Sequence, residues 1–320
     1  MLHYRTFRNT DPPRLVELWN QVFEGPGAVQ LPGTSMLELH VLAKPYFDPD
    51  GLIFAFDDDR TVGFVHGGFG PNQRESALAM KQGITCLVGV HPGYRRRGIG
   101  SELLRRSEGY LRGRGAQELY AGPSPRRNPF YLGLYGGSDS AGALASDTGA
   151  DPFLVRRGYR PAATFEVWER RLDVPINLND WRFPGHRRKY EVRILPRGGI
   201  GTWWRECTEG PLEMVEFRLE EKLTGKVMAV ATAWDMETYS QRWHEAAVGI
   251  VQIEVQPAVR RQGLAKFLLD QLLRHLQDQC FLRTEVNTSP DDEAASNLFK
   301  GLGFQQIDVG HSYMRASADA

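Results

Sequence analysis

The chain has 320 residues, 41% of them hydrophobic and 24% charged, with Lys plus Arg and Asp plus Glu balanced at 39 each. That length exceeds what one core usually serves and predicts two domains. A formal net charge of zero supplies no global field for nucleic acid or an anionic membrane, so any basic patch must be local. Cys86, Cys207 and Cys280 are widely spaced and form no CxxC pair. This argues against a disulfide framework or zinc site and predicts a reducing, cytoplasmic setting. The opening MLHYRTFRNTDPP lacks an apolar signal core, and no run approaches the ~18 apolar residues that span a bilayer, so no membrane partner is expected.

In chain order, HYRTF reads as a short strand. DPPRLVELWNQVF reads as a helix with Asp11 as N-cap and prolines in the first turn. LIFAFD and RTVGFVHGGFG form a hairpin closed by DDDR, and GITCLVGV is a buried strand. Residues 99–113 form an amphipathic helix with Ile99, Leu103, Leu104, Tyr110 and Leu111 on one face. ELYAG is a further strand, followed by the Gly/Ser/Asp-rich LGLYGGSDSAGALASDTGA (132–150). Pro, Asn and Asp in RRLDVPINLNDWRFPG (170–185) mark a boundary, dividing the chain into domains 1–172 and 173–320. Beyond it, LEMVEFRLEE and GKVMAVATAWD are strands joined at 223–225, and AVGIVQIEV is another. Residues 264–278 form a helix with Leu264, Phe267, Leu268, Leu272 and Leu276 inward; the strand LRTEV and a helix over about 291–302 follow. The second half shows no counterpart of the helix at 11–23 and reads as trimmed at its start.

The halves repeat each other. VGVHPGYRRRGIGSELL (88–104) overlays IEVQPAVRRQGLAKFLL (253–269), since Pro92 and Pro257 are 257 − 92 = 165 apart. Val90 and Val255, Arg95 and Arg260, Gly98 and Gly263, and Leu103 and Leu268 share that offset. Downstream, RRGYRP matches GLGFQQ at 303 − 158 = 145, so the first copy carries 165 − 145 = 20 extra residues, a surplus assigned chiefly to 132–150. A period this long is no solenoid and implies tandem domains.

A strand that runs into a glycine loop and a helix start presents free backbone N–H groups and partial positive charge, a site suited to phosphate. Gly98 lets the main chain approach an oxyanion, and the arginines add flanking charge. A Rossmann GxGxxG fails at Leu103, and no GxxxxGK[ST] occurs. What stands here is R-x-x-G-x-G (Arg95, Gly98, Gly100) and R-x-x-G-x-A (Arg260, Gly263, Ala265), each just after a strand-ending V-x-P. With these motifs the chain resembles the GCN5-related N-acetyltransferase (GNAT) superfamily, over nearly its whole length, as two copies. The resemblance implies an α/β fold: in each domain a mixed sheet whose fourth and fifth strands splay apart. It implies acetyl-CoA as cofactor. Pantetheine would pair with Val88, Gly89 and Val90, and with Ile253 and Val255. The pyrophosphate would rest on Arg95, Arg96, Arg97, Gly98, Ile99, Gly100 and Ser101 in the first copy. Its second-copy counterparts are Arg260, Arg261, Gln262, Gly263, Leu264, Ala265 and Lys266, where Ala265 leaves room for a degenerate site.

The family transfers acetyl directly to an amine, which needs a base for the amine and an acid for the thiolate. Its A-x-x-x-Y-x-x-x-G-[FY] helix is matched at Ala150 to Tyr159 and at Ala295 to Phe304, but Leu154 and Phe299 replace the tyrosine. Neither donates a proton. In NPFYLGLYGGSDS, Asn128 is a candidate for the pantetheine arm, and Tyr131 or Tyr135 for the acid; the plainer reading has both tyrosines packing a loop. Glu254, His66, Glu75 and His91 are candidate bases. The expected activity is transfer of acetyl to a primary amine of a small molecule or peptide, with the first copy the better site. The rivals are a non-catalytic acyl-CoA-binding scaffold, and a nucleic-acid binder using GYRRRG, PRRN and GHRRKY, which zero net charge opposes. An intramolecular pseudo-dimer is one possible arrangement of the halves. The acceptor, the acyl length and the oligomeric state are not written in the sequence.

Overall fold

The structure, a computed structural model, describes residues 1–125, 127–198 and 201–315. Arg126 of the PRRN cluster and the last five residues of the second domain assignment lie outside the described residues.

The first half runs β1 (Leu2–Thr6), α1 (Pro12–Val22), α2 (Ser35–Leu37, continued by a π-helical turn Glu38–Leu42), β2 (Leu52–Asp57), β3 (Arg60–Pro71) and β4 (Leu78–Val90). It continues through α3 (Ile99–Gly113), β5 (Glu118–Ala121), β6 (Ala143–Leu144), α4 (Ala150–Val155) and β7 (Tyr159–Arg171). The second half comprises α5 (Phe183–Lys189), β8 (Tyr190–Pro196), α6 (Trp203–Glu209), β9 (Met214–Glu221), β10 (Val227–Asp235), α7 (Glu237–Trp243) and β11 (Ala247–Val255). It ends with α8 (Leu264–Asp278), β12 (Arg283–Thr288), α9 (Glu293–Gly301) and β13 (Gln305–Arg315).

The strands join one mixed sheet in the order β1-β2-β3-β4-β5-β13-β7-β12-β11-β10-β9-β8, with β6 paired to β13. The middle of that order carries an exchange. β5 of the first half pairs with β13 of the second, and β12 of the second pairs with β7 of the first. Each half therefore completes the other's sheet, and β7 and β13 pair with each other between them. One large core packs α1 and the irregular segment after β5 against the first half's sheet, and reaches Trp234, Met236 and Tyr239 of the second half. Another gathers α8 and α9 onto β9 to β12.

The helices at 99–113 and 264–278 match their expected spans. Two sequence expectations are corrected. Asp11 precedes α1, but its carboxylate makes no cap. It takes both guanidinium nitrogens of Arg5, at 2.7 Å each, and the Arg8 N–H at 2.7 Å, because a buried carboxylate gains more from a cation than from an exposed helix amide. The second half also does have a helix where α1 stands, between its first two strands. It is α6, only seven residues long, capped by Thr202, whose Oγ1 accepts from Arg205 N–H at 3.3 Å. Its shortness removes the long apolar stripe that made α1 visible.

Candidate functional site

The site begins with a kink. In β4, Thr85 pairs with Gly67 and Leu87 with His66, leaving Cys86 as the extra residue of a β-bulge. In β11, Ile250 pairs with Ala233 and Gln252 with Thr232, leaving Val251 as the extra residue. These positions are 251 − 86 = 165 apart. A bulge bends its strand and disrupts the local ladder. β5 accordingly pairs with β4 only over 82–85, and the Gly122 N–H to Thr85 carbonyl bond, 3.1 Å, is the last between them. β12 likewise pairs with β11 only over 247–250. Beyond each bulge the strands part and the inner edge of residues 86–90, or 251–255, is left free.

The loops after these strands share one geometry. Pro92–Tyr94 and Pro257–Val259 form single 3-10 turns. Arg96 and Arg261 both adopt φ +64°, and Gly98 and Gly263 adopt +82° and +83°, where a side chain would cost ~1–2 kcal/mol. Arg95 Nε donates to the Val90 carbonyl at 3.1 Å, and Arg260 Nε to that of Val255 at 3.1 Å. Those two arginines therefore shape their loops as well as charge them.

Above the first loop there is clear space. A cavity of about 610 Å³ occupies the splay between β4 and β5. Val88, Val90, Arg95, Arg96, Gly98, Gly100 and Ser101 line it. A Cβ on Gly98 would meet nothing within 4 Å. The other three expected residues face elsewhere: Gly89 packs against Phe64, Arg97 lies over the Tyr94 ring at 5.0 Å, and Ile99, the first residue of α3, is buried with Ile53, Val62 and Val65 of the sheet. Arg156 and Arg157 close the outer end opposite Arg95 and Arg96, and Arg157 donates to Ser101 Oγ. Four arginines and the α3 N-terminus thus line the cavity, donors of the kind that hold phosphate.

The inner end is lined by Val22, Phe23, Thr85, Cys86, Leu87 and Tyr135. Tyr135 Oη accepts the Leu144 N–H at 3.3 Å, and burial pushes its phenol well above the usual range, so it carries its proton. Tyr131 does not line the cavity. It is fully buried, its hydroxyl 2.9 Å from His66 Nδ1. Asn128 also stands away from the cavity wall, donating to Ser140 Oγ within the packed insertion. His66 is fully buried, and burial lowers its imidazole to about 3, so it is neutral. His91 bonds Arg60 at 2.9 Å, and Glu75 accepts from Thr202 Oγ1 at 2.7 Å, tying the halves together. Glu254 is exposed, opposite Val230 on β10. Sequence reasoning missed Asp147, a carboxylate on the cavity wall that burial raises against the pull of Arg95. It also missed Phe23, which belongs to no motif, and Arg156 and Arg157, whose place in the repeated RRGYRP says nothing of a cavity wall.

The second cradle is covered. The Arg182 guanidinium lies over Gly263, with Cζ 2.7 Å from where a Cβ would stand. Asp180 holds it through Nε at 2.8 Å and Nη2 at 2.7 Å, and also meets Lys266 Nζ at 3.4 Å. His186 Nε2 lies 3.1 Å from the Gln262 carbonyl oxygen, and the rings of Phe183 and His186 pack on Phe267 at 5.3 and 5.4 Å. Where β11 and β12 begin to part, the first half's insertion is wedged in. Ser138 sits 2.8 Å from the position of a Cβ on Gly249, its carbonyl takes Trp234 Nε1–H at 2.9 Å, and its N–H donates to Glu285 at 2.6 Å. Gly137 N–H donates to Tyr239 Oη at 3.0 Å, and Asn287 Nδ2 to the Asp139 carbonyl at 2.9 Å.

Paired bulges, splayed parallel strands and glycine-loop helices define a tandem acyl-CoA-type acyltransferase architecture. The sequence matches the acetyltransferase (GNAT) family over residues 15–135 and again over 178–304, and the chain belongs to that family. It is 28% identical over 118 residues, 37% of this chain and 72% of the other, to an acetyltransferase of Sodalis glossinidius (strain morsitans). Among solved structures, a tandem GNAT protein from the clavulanic acid biosynthesis pathway superposes over the whole of both chains with TM-score 0.69 at 15% identity. A GCN5-related N-acetyltransferase from Sphaerobacter thermophilus does so over 100% of this chain and 98% of its own, with TM-score 0.65 and 16% identity. Saccharomyces cerevisiae N-myristoyltransferase with bound myristoyl-CoA matches 98% of this chain and 78% of its own, with TM-score 0.59 and 9% identity. Among the described residues no helix is long and apolar enough to cross a membrane.

Proposed function

We propose that the first half binds acetyl-CoA and transfers its acetyl group to a primary amine of a small molecule or peptide, while the second half holds no cofactor. The observation that carries this is the contrast between the loops: Gly98 faces open space, whereas Gly263 lies under Arg182. In this reading the α3 N-terminus with Arg96, Arg156 and Arg157 holds the pyrophosphate, and the free edge of residues 86–90 takes the pantetheine amides. The disrupted ladder at Cys86 leaves a backbone N–H for the thioester oxygen. The amine nitrogen bonds to the carbonyl carbon, the C–S bond breaks, and Tyr135 protonates the thiolate. Asp147, the carboxylate lining the cavity among the described residues, takes the amine's proton.

Calorimetry with acetyl-CoA tests the binding step, wild type against Gly98→Trp. Heat in the wild type and none in the variant is expected; no heat in either sinks the reading. Release of CoA on mixing with polyamines, aminoglycosides, amino acids or peptide N-termini tests the transfer. The absence of a tyrosine at Leu154 and Phe299 favours a second reading, a non-catalytic acyl-CoA-binding scaffold. Binding without CoA release across that panel would select it.

A further inference from the structure

The inner wall of the first-half cavity is set from the other half of the chain. Phe23 follows the last residue of α1 and is 5% exposed. Its ring lies 4.6 Å from Trp19, 5.5 Å from Tyr135 and 6.1 Å from Phe64. Trp19 and Phe64 are fully buried, so the ring cannot swing back without displacing close-packed neighbours. Tyr135 is fixed in turn by a backbone bridge to Ala28 and by the Leu144 N–H at 3.3 Å.

The backbone at Phe23 is held by α7 of the second half. Arg242 donates from Nη2 to the Phe23 carbonyl and from Nη1 to the Glu24 carbonyl, both at 2.9 Å. Trp243 Nε1–H donates to the Pro26 carbonyl at 3.1 Å. A guanidinium at the end of α1 satisfies carbonyls the helix leaves unpaired and suits its dipole. It also fixes where Phe23 stands.

The geometry of an acyl-CoA in this cleft makes that position matter, on the functional reading above. The phosphate end is anchored at Gly98 and Ser101, and the free strand edge from Val90 to Cys86 spans about 13 Å at ~3.3 Å per residue. The thioester then falls beside Cys86, and the acyl group points at Phe23 and Tyr135, which line the same cavity. We propose that Phe23 and Tyr135 form the end wall of the acyl pocket, limiting the cleft to short acyl groups, and that Arg242 of the second half is the positioning residue that holds this wall in place. The second half, its own cradle covered, thereby acts as a specificity element for the first.

The test is the affinity of the full chain for CoA, acetyl-CoA, butyryl-CoA and hexanoyl-CoA by calorimetry. Wild type should bind hexanoyl-CoA at least about tenfold more weakly than acetyl-CoA, because the added methylenes meet close-packed rings. Phe23→Ala should bring the two within about threefold of each other. Arg242→Met, which touches no part of the cavity, should shift the ratio the same way by about threefold or more while CoA itself binds as before. Arg242→Lys keeps the charge and one donor and should fall between, which keeps the test available if the methionine variant does not fold. A wild type indifferent to chain length, or a folded Arg242 variant with the wild-type ratio, overturns the proposal. Failure of CoA and acetyl-CoA alike to bind the wild type overturns the functional reading and this inference with it.

Discussion

Replacing Glu285 with glutamine should change how the chain's stability depends on pH while leaving its shape intact. Glu285 is 3% exposed on β12, under the first half's insertion, and accepts the Ser138 N–H at 2.6 Å. Burial is the main cause that raises its carboxyl from 4.5 to about 7; the nearby Glu169 adds to this, and the Ser138 N–H works against it. The folded state therefore holds the proton more tightly than the unfolded chain does. As pH rises from about 4.5 to about 7 the unfolded chain ionises first, so stability is lost across that window. At about 1.36 kcal/mol per pKa unit, the loss is about 3 kcal/mol. Glutamine keeps an acceptor for Ser138 N–H and does not titrate. Wild type and Glu285→Gln should be close in stability near pH 5, and the variant should be more stable by about 3 kcal/mol near pH 8. Guanidinium denaturation from pH 5 to 8 measures this, with tryptophan fluorescence as probe, since Trp234 is bonded to the same loop at Ser138. Parallel pH profiles for the two proteins would refute the claim that the insertion buries this carboxylate in the second half's cleft.

Two further outcomes are expected. Gly100→Leu should weaken acetyl-CoA binding about tenfold or more by calorimetry, because a Cβ there already stands 3.1 Å from Phe153 and a longer side chain must enter the cavity. Ala265→Leu, its counterpart on the covered loop, should change binding by less than about twofold; equal losses from both would refute the assignment of the cofactor to one half. Tyr135→Phe should lower kcat about a hundredfold with KM for acetyl-CoA unchanged, and cost about 1 kcal/mol of stability by orphaning the Leu144 N–H. Turnover within threefold of wild type would remove Tyr135 from the chemistry.

Much of the fold could be read because its signals are local. The V-x-P strand ends, the glycine loops and the apolar stripes of α3 and α8 depend on neighbours within a few residues, and the offset of 165 reappears in bulges, turns and helix starts alike. The bulges at Cys86 and Val251 could not be read, since an extra residue in a ladder shows only once its partner strand is known. The exchange of β7 and β13 was hidden for the same reason: each strand's alternation is the same whichever half it completes. At the site, Gly98, Arg96 and Ser101 belonged to a motif, whereas Phe23, Arg156, Arg157 and Asp147 reach the cavity only through tertiary packing. Nothing in the sequence of 136–141 or 176–186 says that these stretches cover the second cleft. Their composition is that of any loop, and the covering rests on particular bonds from Ser138, Asp180 and Arg182.

On the proposed function, one half takes an acyl-CoA and the other is closed by the chain itself. The stoichiometry of acetyl-CoA binding to the whole 320-residue chain by isothermal titration calorimetry separates this from its alternatives. One cofactor per chain, with binding lost in Gly98→Trp and retained in Gly263→Trp, is the expected result. Two cofactors per chain, none, or a single site abolished by the Gly263 substitution alone would contradict it.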